Sequence, residues 1–168
     1  MRDIAKRVGC SAPAIYLHFE SKDDLFLATC SRRFEEFNAS VMIALAEKET
    51  IVERLEALAR AYIAYGIENP SHYRVLFASG PLVPPEGEEE LPGIDGFMVL
   101  IAAVEAAMGE GELRQGDPVA VAFALWSVVH GVVMLLMDKD DYPHGVPLPD
   151  ADVLIDAVVS MALKGITP

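Results

Sequence analysis

Residues 119–137 contain no Asp, Glu, Lys or Arg, and this uncharged stretch constrains the fold more than any other feature of the sequence. A helix of this length is long enough to cross a bilayer. Its flanks do not support a membrane span, because Asp117 precedes it and three aspartates follow it closely, with Lys139 as the only cation nearby. We therefore predict a helix covered on one side by its own domain and on the other by a partner molecule, with no membrane contact.

The last predicted helix, residues 150–164, is also mainly apolar. Its polar side chains recur every four residues and form one narrow stripe of Asp152, Asp156, Ser160 and Lys164. The apolar side chains on the rest of both helices have to be shielded from water. Packing against the same two helices of a second copy, related by a two-fold axis, buries them. We predict a homodimer formed through the last two helices.

The rest of the chain has helical periodicity, and no window alternates between apolar and polar residues as a strand does. The sequence therefore predicts an all-α fold. The expected helices are residues 2–8, a second helix capped by Ser11 and ending near residue 19, then 21–48, 50–67, 72–78, 94–108, 118–137 and 150–164. Residues 80–93, rich in Pro, Gly and Glu, and the Pro-rich residues 139–149 are expected to be loops.

Charge is distributed unevenly around a formal net charge of −13. Residues 1–19 carry three basic side chains and one acidic side chain, whereas residues 38–168 carry seven basic and twenty acidic ones. A basic head on an acidic body is compatible with phosphate binding at the head in spite of the total. Two cysteines without CxxC spacing and an N-terminus without an apolar signal region indicate a cytoplasmic protein, in which Cys10 is expected to be a small core residue.

The head has the spacing of a helix-turn-helix. Gly9 is expected to end the first helix in left-handed backbone, and Ser11 is expected to cap the second. In such a motif the second helix lies in the major groove of DNA while the first crosses the backbone. Small side chains at the start of that helix permit a close approach to base edges, and the polar side chains that follow can donate hydrogen bonds to phosphates.

The segment IAKRVGCSAPAIYLHFESKDDLF closely resembles the helix-turn-helix of the tetracycline-repressor-like (TetR/AcrR) regulators. Their pattern of Ile-Ala, Gly-x-Ser, Tyr-x-His-Phe and Lys-x-x-Leu stands here at positions 4–5, 9–11, 16–19 and 22–25. The resemblance implies that Tyr16, His18 and Lys22 contact phosphates and that Ala12, Ala14 and Leu17 lie near bases. The expected DNA-binding residues are Ser11, Ala12, Pro13, Ala14, Tyr16, Leu17, His18 and Lys22.

The same resemblance implies a DNA-binding domain of three helices, whose first helix precedes the position of Ile4. This sequence starts at Met1, inside the second helix of that pattern. We expect a misplaced start codon or a truncated chain, and weaker DNA binding by the polypeptide as it stands. The expected domains are an N-terminally truncated DNA-binding domain over residues 1–37 and an effector-binding and dimerisation domain over residues 38–168.

The body resembles a subgroup of the family in two segments, NPSHYRVLF and ALWSVVHGVV, the second of which carries a Trp…His-Gly motif. Trp126 and His130 are four residues apart and share a helix face. Two interpretations stay open, since both side chains either line an effector pocket or pack in the core with the histidine N–H satisfied by a neighbour. The expected ligand-binding residues are Tyr62, Tyr65, Tyr73, Phe77, Phe97, Met98, Trp126, His130 and Met134.

The resemblance implies a repressor that a small, largely hydrophobic effector releases from a palindromic DNA operator. No nucleophile motif occurs and the histidines lack metal-ligand spacing, so neither enzymatic activity nor a metal or other cofactor is expected. The alternative is a dimeric helical ligand-binding or interaction protein with an incomplete, inactive DNA-binding head. A salt-dependent DNA-binding assay separates the two.

Overall fold

The computed structural model describes residues 1–77, 94–137 and 147–168, and these contain eight α-helices and no β-strand. The predicted loop at 80–93 and most of the one at 139–149 lie outside the described residues. The all-α prediction is confirmed. The helices are α1 (Arg2–Val8), α2 (Ala12–Tyr16), α3 (Lys22–Leu45), α4 (Ile51–Glu68), α5 (Pro70–Phe77), α6 (Ile94–Gly109), α7 (Pro118–Met137) and α8 (Ala151–Ile166).

Helix ends lie where the sequence places capping residues. Gly9 follows α1 in left-handed backbone, with φ 75°, as helix C-termini favour. The hydroxyls of Ser11 and Ser21 accept backbone N–H groups three residues on, at 3.3 and 3.0 Å. Asp117 likewise accepts the backbone N–H of Val119 at 3.0 Å before α7. These local signals were therefore sufficient to place four helix ends.

The structure corrects three predictions made from the sequence: the end of α2, the start of α5 and the burial of Cys10. Helix α2 ends at Tyr16 rather than near residue 19, because the N–H groups of residues 18 and 19 both bond to the Ile15 carbonyl and tighten the chain into a turn. Helix α5 begins at Pro70, earlier than expected. Cys10 is exposed rather than a core residue, because it lies in the turn between α1 and α2, where no described element packs over it.

Helix α4 is the central element of the body and packs against α3, α5, α7 and α8. One core cluster joins α4, α5, α7 and α8: Tyr62, Ile63, Tyr73, Val129, Val132, Val133 and Val159. A second cluster fills the opposite end of α4: Leu55, Val104, Ala107, Met108 and Leu113. Gly66 permits a close approach of α7 to α4, since a Cβ there would lie 2.5 Å from Val133 Cγ1.

Helix α7 covers the body with one face only. Its buried residues are Ala122, Val129, Val132 and Val133. On its other side Ala120, Ala124 and Ser127 are exposed, and on α8 Val153 and Met161 are 59% and 65% exposed. Among the described helices α7 alone has the length and composition of a membrane span, and 22% of that span is buried within the chain. The expectation that its own domain covers one side of α7 is confirmed.

Candidate functional site

The side chains predicted to contact DNA lie together on α2 and the turn that follows it. Ala5 and Ile15 are buried and hold α1 and α2 against each other. Tyr16 and Leu17 project outward and are 53% and 83% exposed. The other predicted residues are exposed or, for the two alanines, half-buried: Ser11, Ala12, Pro13, Ala14, His18 and Lys22. The head thus presents one short helix to an outside partner, with Lys22 at the first turn of α3 beside it.

A cavity of about 820 Å³ opens between α3, α4, α6 and α7, with further walls from α5 and α8. Its lining is almost entirely apolar and aromatic. The lining residues that carry a polar group are few: Asn38, Arg54, Tyr62 and Trp126. Arg54 precedes Tyr62 by eight residues on α4, so their backbones are about 12 Å apart along the helix axis.

A chain of hydrogen bonds runs inward from the cavity wall. The indole N–H of Trp126 donates to the Tyr62 hydroxyl oxygen at 3.0 Å. The hydroxyls of Tyr62 and Tyr73 lie 3.0 Å apart, and the Tyr73 hydroxyl lies 2.5 Å from His130 Nδ1. These four side chains, called here the relay, join α4, α5 and α7.

The relay is enclosed by aromatic rings and its groups are neutral near neutral pH. The rings of Tyr73 and His130 stack at 5.5 Å, and Phe77 contacts Tyr62, Tyr73, Trp126 and His130. Burial raises the pKa of Tyr62 to about 12 and raises the pKa of Tyr73 far above its usual range. Burial lowers the pKa of His130. Desolvation disfavours the charged form in each case.

Four of the nine residues predicted to bind a ligand line the cavity: Tyr62, Phe77, Phe97 and Trp126. Tyr73 and His130 lie one layer behind them, in the relay. The other three lie elsewhere. Tyr65 faces α3, where its hydroxyl donates to the Arg33 carbonyl at 3.3 Å, Met98 is 57% exposed, and Met134 packs on the core cluster.

The sequence prediction missed the contribution of α3, which supplies Phe34, Phe37, Asn38, Val41, Met42 and Leu45 to the cavity. It also missed Arg54, which stands between Glu53 and Glu56 in the sequence and so gave no sign of facing an apolar cavity. The α3 residues gave no signal, because their pattern fits any helix that buries one face.

Both parts of the molecule match known family models. Residues 1–29, which include α1 and α2, match the model for bacterial regulatory proteins of the tetR family. Residues 55–162, which include most of the cavity wall, match the model for the tetracyclin repressor-like C-terminal domain. The chain belongs to the TetR family. The predicted domain boundary at residues 37 and 38 falls between the two matches and inside α3, and it stays a prediction.

Individual known proteins resemble the chain over nearly its whole length. The HTH-type transcriptional activator FasR of Mycolicibacterium smegmatis is 25% identical over 168 residues, which cover 99% of this chain and 73% of FasR. A TetR-family regulatory protein from Rhodococcus RHA1 has a TM-score of 0.72 at 22% identity, covering 99% of this chain and 85% of that one. The structure of AibR in complex with isovaleryl coenzyme A and operator DNA has a TM-score of 0.71 at 21% identity, and the match covers 95% of this chain and 84% of AibR.

Membership in the TetR family establishes the general class of the protein. Members are soluble DNA-binding transcriptional regulators rather than enzymes, and they typically form dimers. They bind operator DNA and small-molecule effectors. This class fits the two features of the structure, an exposed short helix in a basic head and an apolar cavity in the body.

Proposed function

We propose that the protein is a cytoplasmic, homodimeric repressor that binds a palindromic operator through α2 and is released by a largely hydrophobic effector. The observation that carries the proposal is the apolar cavity of about 820 Å³ in a chain with a TetR-family head. Effector binding that shifts the body between two arrangements changes the distance between the two heads. A coupling of about 1–3 kcal/mol lowers operator affinity roughly 5- to 150-fold.

The DNA interface is proposed from the exposed side chains of α2 and its turn. Leu17 and the small residues at the start of α2 are free to approach base edges. Tyr16, His18 and Lys22 surround them and donate to phosphates. In a two-fold symmetric dimer the two copies of α2 read half-sites separated by about 34–36 Å, one turn of DNA.

The dimer is proposed to form through α7 and α8, with a second copy of the chain covering their outer faces. The support is the apolar side chains that α8 exposes to water, Val153 and Met161, together with the exposed alanines on the outer side of α7. Val153→Asp and Met161→Asp each place a charge in that contact and should yield monomers in sedimentation velocity. Ile43→Asp on α3, which is 79% exposed, is the matched control and should leave the dimer intact. Dimers that persist in both α8 variants would contradict this interface.

The effector is proposed to be a small molecule with a mainly apolar body. The size of the cavity is within the usual range for ligand sites, and its few polar groups suit an apolar ligand with one or two polar anchors. The structure of AibR with isovaleryl coenzyme A and operator DNA supports an acyl compound as one candidate. Neither a catalytic role nor a cofactor enters the proposal.

Fluorescence anisotropy with DNA from upstream of the protein's own gene tests the DNA-binding part. We expect tight binding to a palindromic site that weakens steeply as salt rises. Lys22→Ala should weaken binding to all sequences and reduce the salt slope by about one phosphate contact, whereas Lys164→Ala on α8 should change neither. Equal affinity for every DNA sequence would instead support the dimeric ligand-binding protein with an inactive head.

A further inference from the structure

The relay has two possible directions of proton donation, and they differ in what they offer to the cavity. We propose that Tyr62 is the hydrogen-bond donor for a carbonyl oxygen on the effector, and that reversal of the relay from His130 makes its proton available. The proposal rests on the proposed function, because it assigns the polar anchor within the same cavity.

In the first direction every proton of the relay is used internally. Trp126 can only donate, so the oxygen of Tyr62 accepts its N–H at 3.0 Å. The hydroxyl proton of Tyr62 then goes to the Tyr73 oxygen, and that of Tyr73 goes to His130 Nδ1. His130 is neutral in this direction, with its proton on Nε2. Tyr62 then offers no proton to the cavity.

In the second direction His130 carries a proton on Nδ1 and donates it to the Tyr73 oxygen. Tyr73 then donates to Tyr62, whose oxygen accepts from both Tyr73 and Trp126 through its two lone pairs. The hydroxyl proton of Tyr62 has no partner left within the relay. Because Tyr62 lines the cavity, that proton is available to a ligand acceptor there. The two directions differ in hydroxyl rotation and in the protonation of His130, and no heavy atom has to move.

The surroundings of Tyr62 favour a carbonyl as the ligand group. Aromatic side chains pack around its ring, with Phe37 and Phe77 centred 5.4 and 5.8 Å from the Tyr62 ring. In such an apolar space an unpaired proton or oxygen is costly, so a ligand oxygen and the Tyr62 proton stabilise each other. A carbonyl accepts and cannot donate, and it therefore selects the second direction of the relay. Ketones, esters and thioesters with an apolar chain share this chemistry.

His130 is placed to supply the Nδ1 proton. Tyr73 is the titratable group that faces it from α5, Tyr62 on α4 is one link further away, and Phe77 and Trp126 provide aromatic contacts. Burial alone lowers the pKa of His130, and no charged neighbour among the described residues contributes to the shift. Either the Nδ1–H tautomer or the protonated ring drives the second direction. The tautomer change takes up no proton, but protonation of the ring also places a proton on Nδ1, so carbonyl binding should strengthen as the pH falls towards the pKa of His130.

The test compares two probes of equal shape, methyl heptyl ketone and the isostere in which a terminal methylene group replaces the carbonyl oxygen. Trp126 is the single tryptophan of the chain and lines the cavity, so its fluorescence reports binding of either probe. We expect the wild-type protein to prefer the ketone by about three- to tenfold, the usual worth of one hydrogen bond. The ¹⁵N signal of His130 Nδ1 should move towards its N–H form with the ketone and not with the isostere.

Tyr62→Phe should bind both probes equally, because the donor is gone. Tyr65→Phe is the matched control, a buried tyrosine of α4 outside the cavity, and should keep the preference. His130→Phe leaves Tyr62 as the only acceptor for the Tyr73 proton, so it should keep the ketone preference and lose its pH dependence.

Equal affinity of wild-type protein for the two probes, or a ketone preference that survives Tyr62→Phe, would refute the anchor and leave the cavity as an effector site. No binding of either probe would refute both the anchor and the cavity's proposed role. Should Tyr62→Phe fail to fold, the His130 signal in wild-type protein still decides, because an unchanged signal with bound ketone refutes the reversal.

Discussion

Gly66→Ala tests the close contact between α4 and α7. A Cβ at this position would lie 2.5 and 2.9 Å from the two methyl carbons of Val133 and 3.1 Å from Tyr73 Cδ2. Carbon atoms in contact prefer about 3.5–4.0 Å, so the helices would have to separate by roughly 1 Å. Val133 cannot rotate away, because it is fully buried and β-branched side chains in helices have one preferred rotamer.

The expected cost follows from two opposing terms. Overfilling a packed core costs about 1–3 kcal/mol, whereas replacing a glycine inside a helix by alanine gains roughly 0.5–1 kcal/mol. We expect Gly66→Ala to lower the free energy of unfolding by about 1–2 kcal/mol. For a chain of this size that corresponds to a Tm lower by roughly 2–8 °C.

Urea denaturation at one fixed protomer concentration measures this cost, since a dimer's stability depends on concentration. Gly109→Ala at the end of α6, where nothing lies within 4 Å of the added Cβ, is the control and should be neutral or slightly stabilising. Adding Val133→Ala to Gly66→Ala removes both opposing methyl groups, so the double variant should be more stable than the sum of the two single effects by about 1–2 kcal/mol. A Gly66→Ala protein as stable as wild type, or purely additive effects, would refute the packing argument.

Four further predictions concern pH and single side chains. Burial lowers the pKa of His130 from 6.5, so as the pH drops below about 6.5 the unfolded protein takes up the proton more readily than the folded protein, and the free energy of unfolding should fall. His130→Gln should make the free energy of unfolding, measured by urea denaturation, less dependent on pH in this range. Because the pKa of Tyr62 is raised from 10.0 to about 12, stability should be fully present below pH 10 and fall as pH rises towards 12; Tyr62→Phe should reduce that fall. Arg60 bonds to Asp156 at 2.8 Å between α4 and α8, but both side chains are substantially exposed, so Arg60→Ala should cost only about 0–1 kcal/mol in the same assay. Thr50 and the third residue of α4 form a capping box, so Thr50→Ala should cost about 1 kcal/mol by thermal denaturation and Thr50→Ser much less.

The sequence determined the features that depend on neighbouring residues. Capping side chains and Gly9 placed helix ends, since each acts within about four residues of the backbone it satisfies. The spaced pattern from Ile4 to Leu25 indicated the family for the same reason, because a helix-turn-helix is one short continuous segment. The uncharged stretch at 119–137 likewise indicated a helix apolar on all sides, whose outer face the structure leaves exposed.

Tertiary structure alone decided which side chains surround the cavity. Tyr62 and Tyr65 lie one turn apart on α4 and are equally plausible from the sequence, yet one faces α7 and the cavity while the other faces α3. Two of the three bonds of the relay join residues 57 and 64 positions apart, and no local pattern encodes such a pairing. Periodicity shows that a helix face is buried, but the partner covering each residue depends on how all the helices pack together.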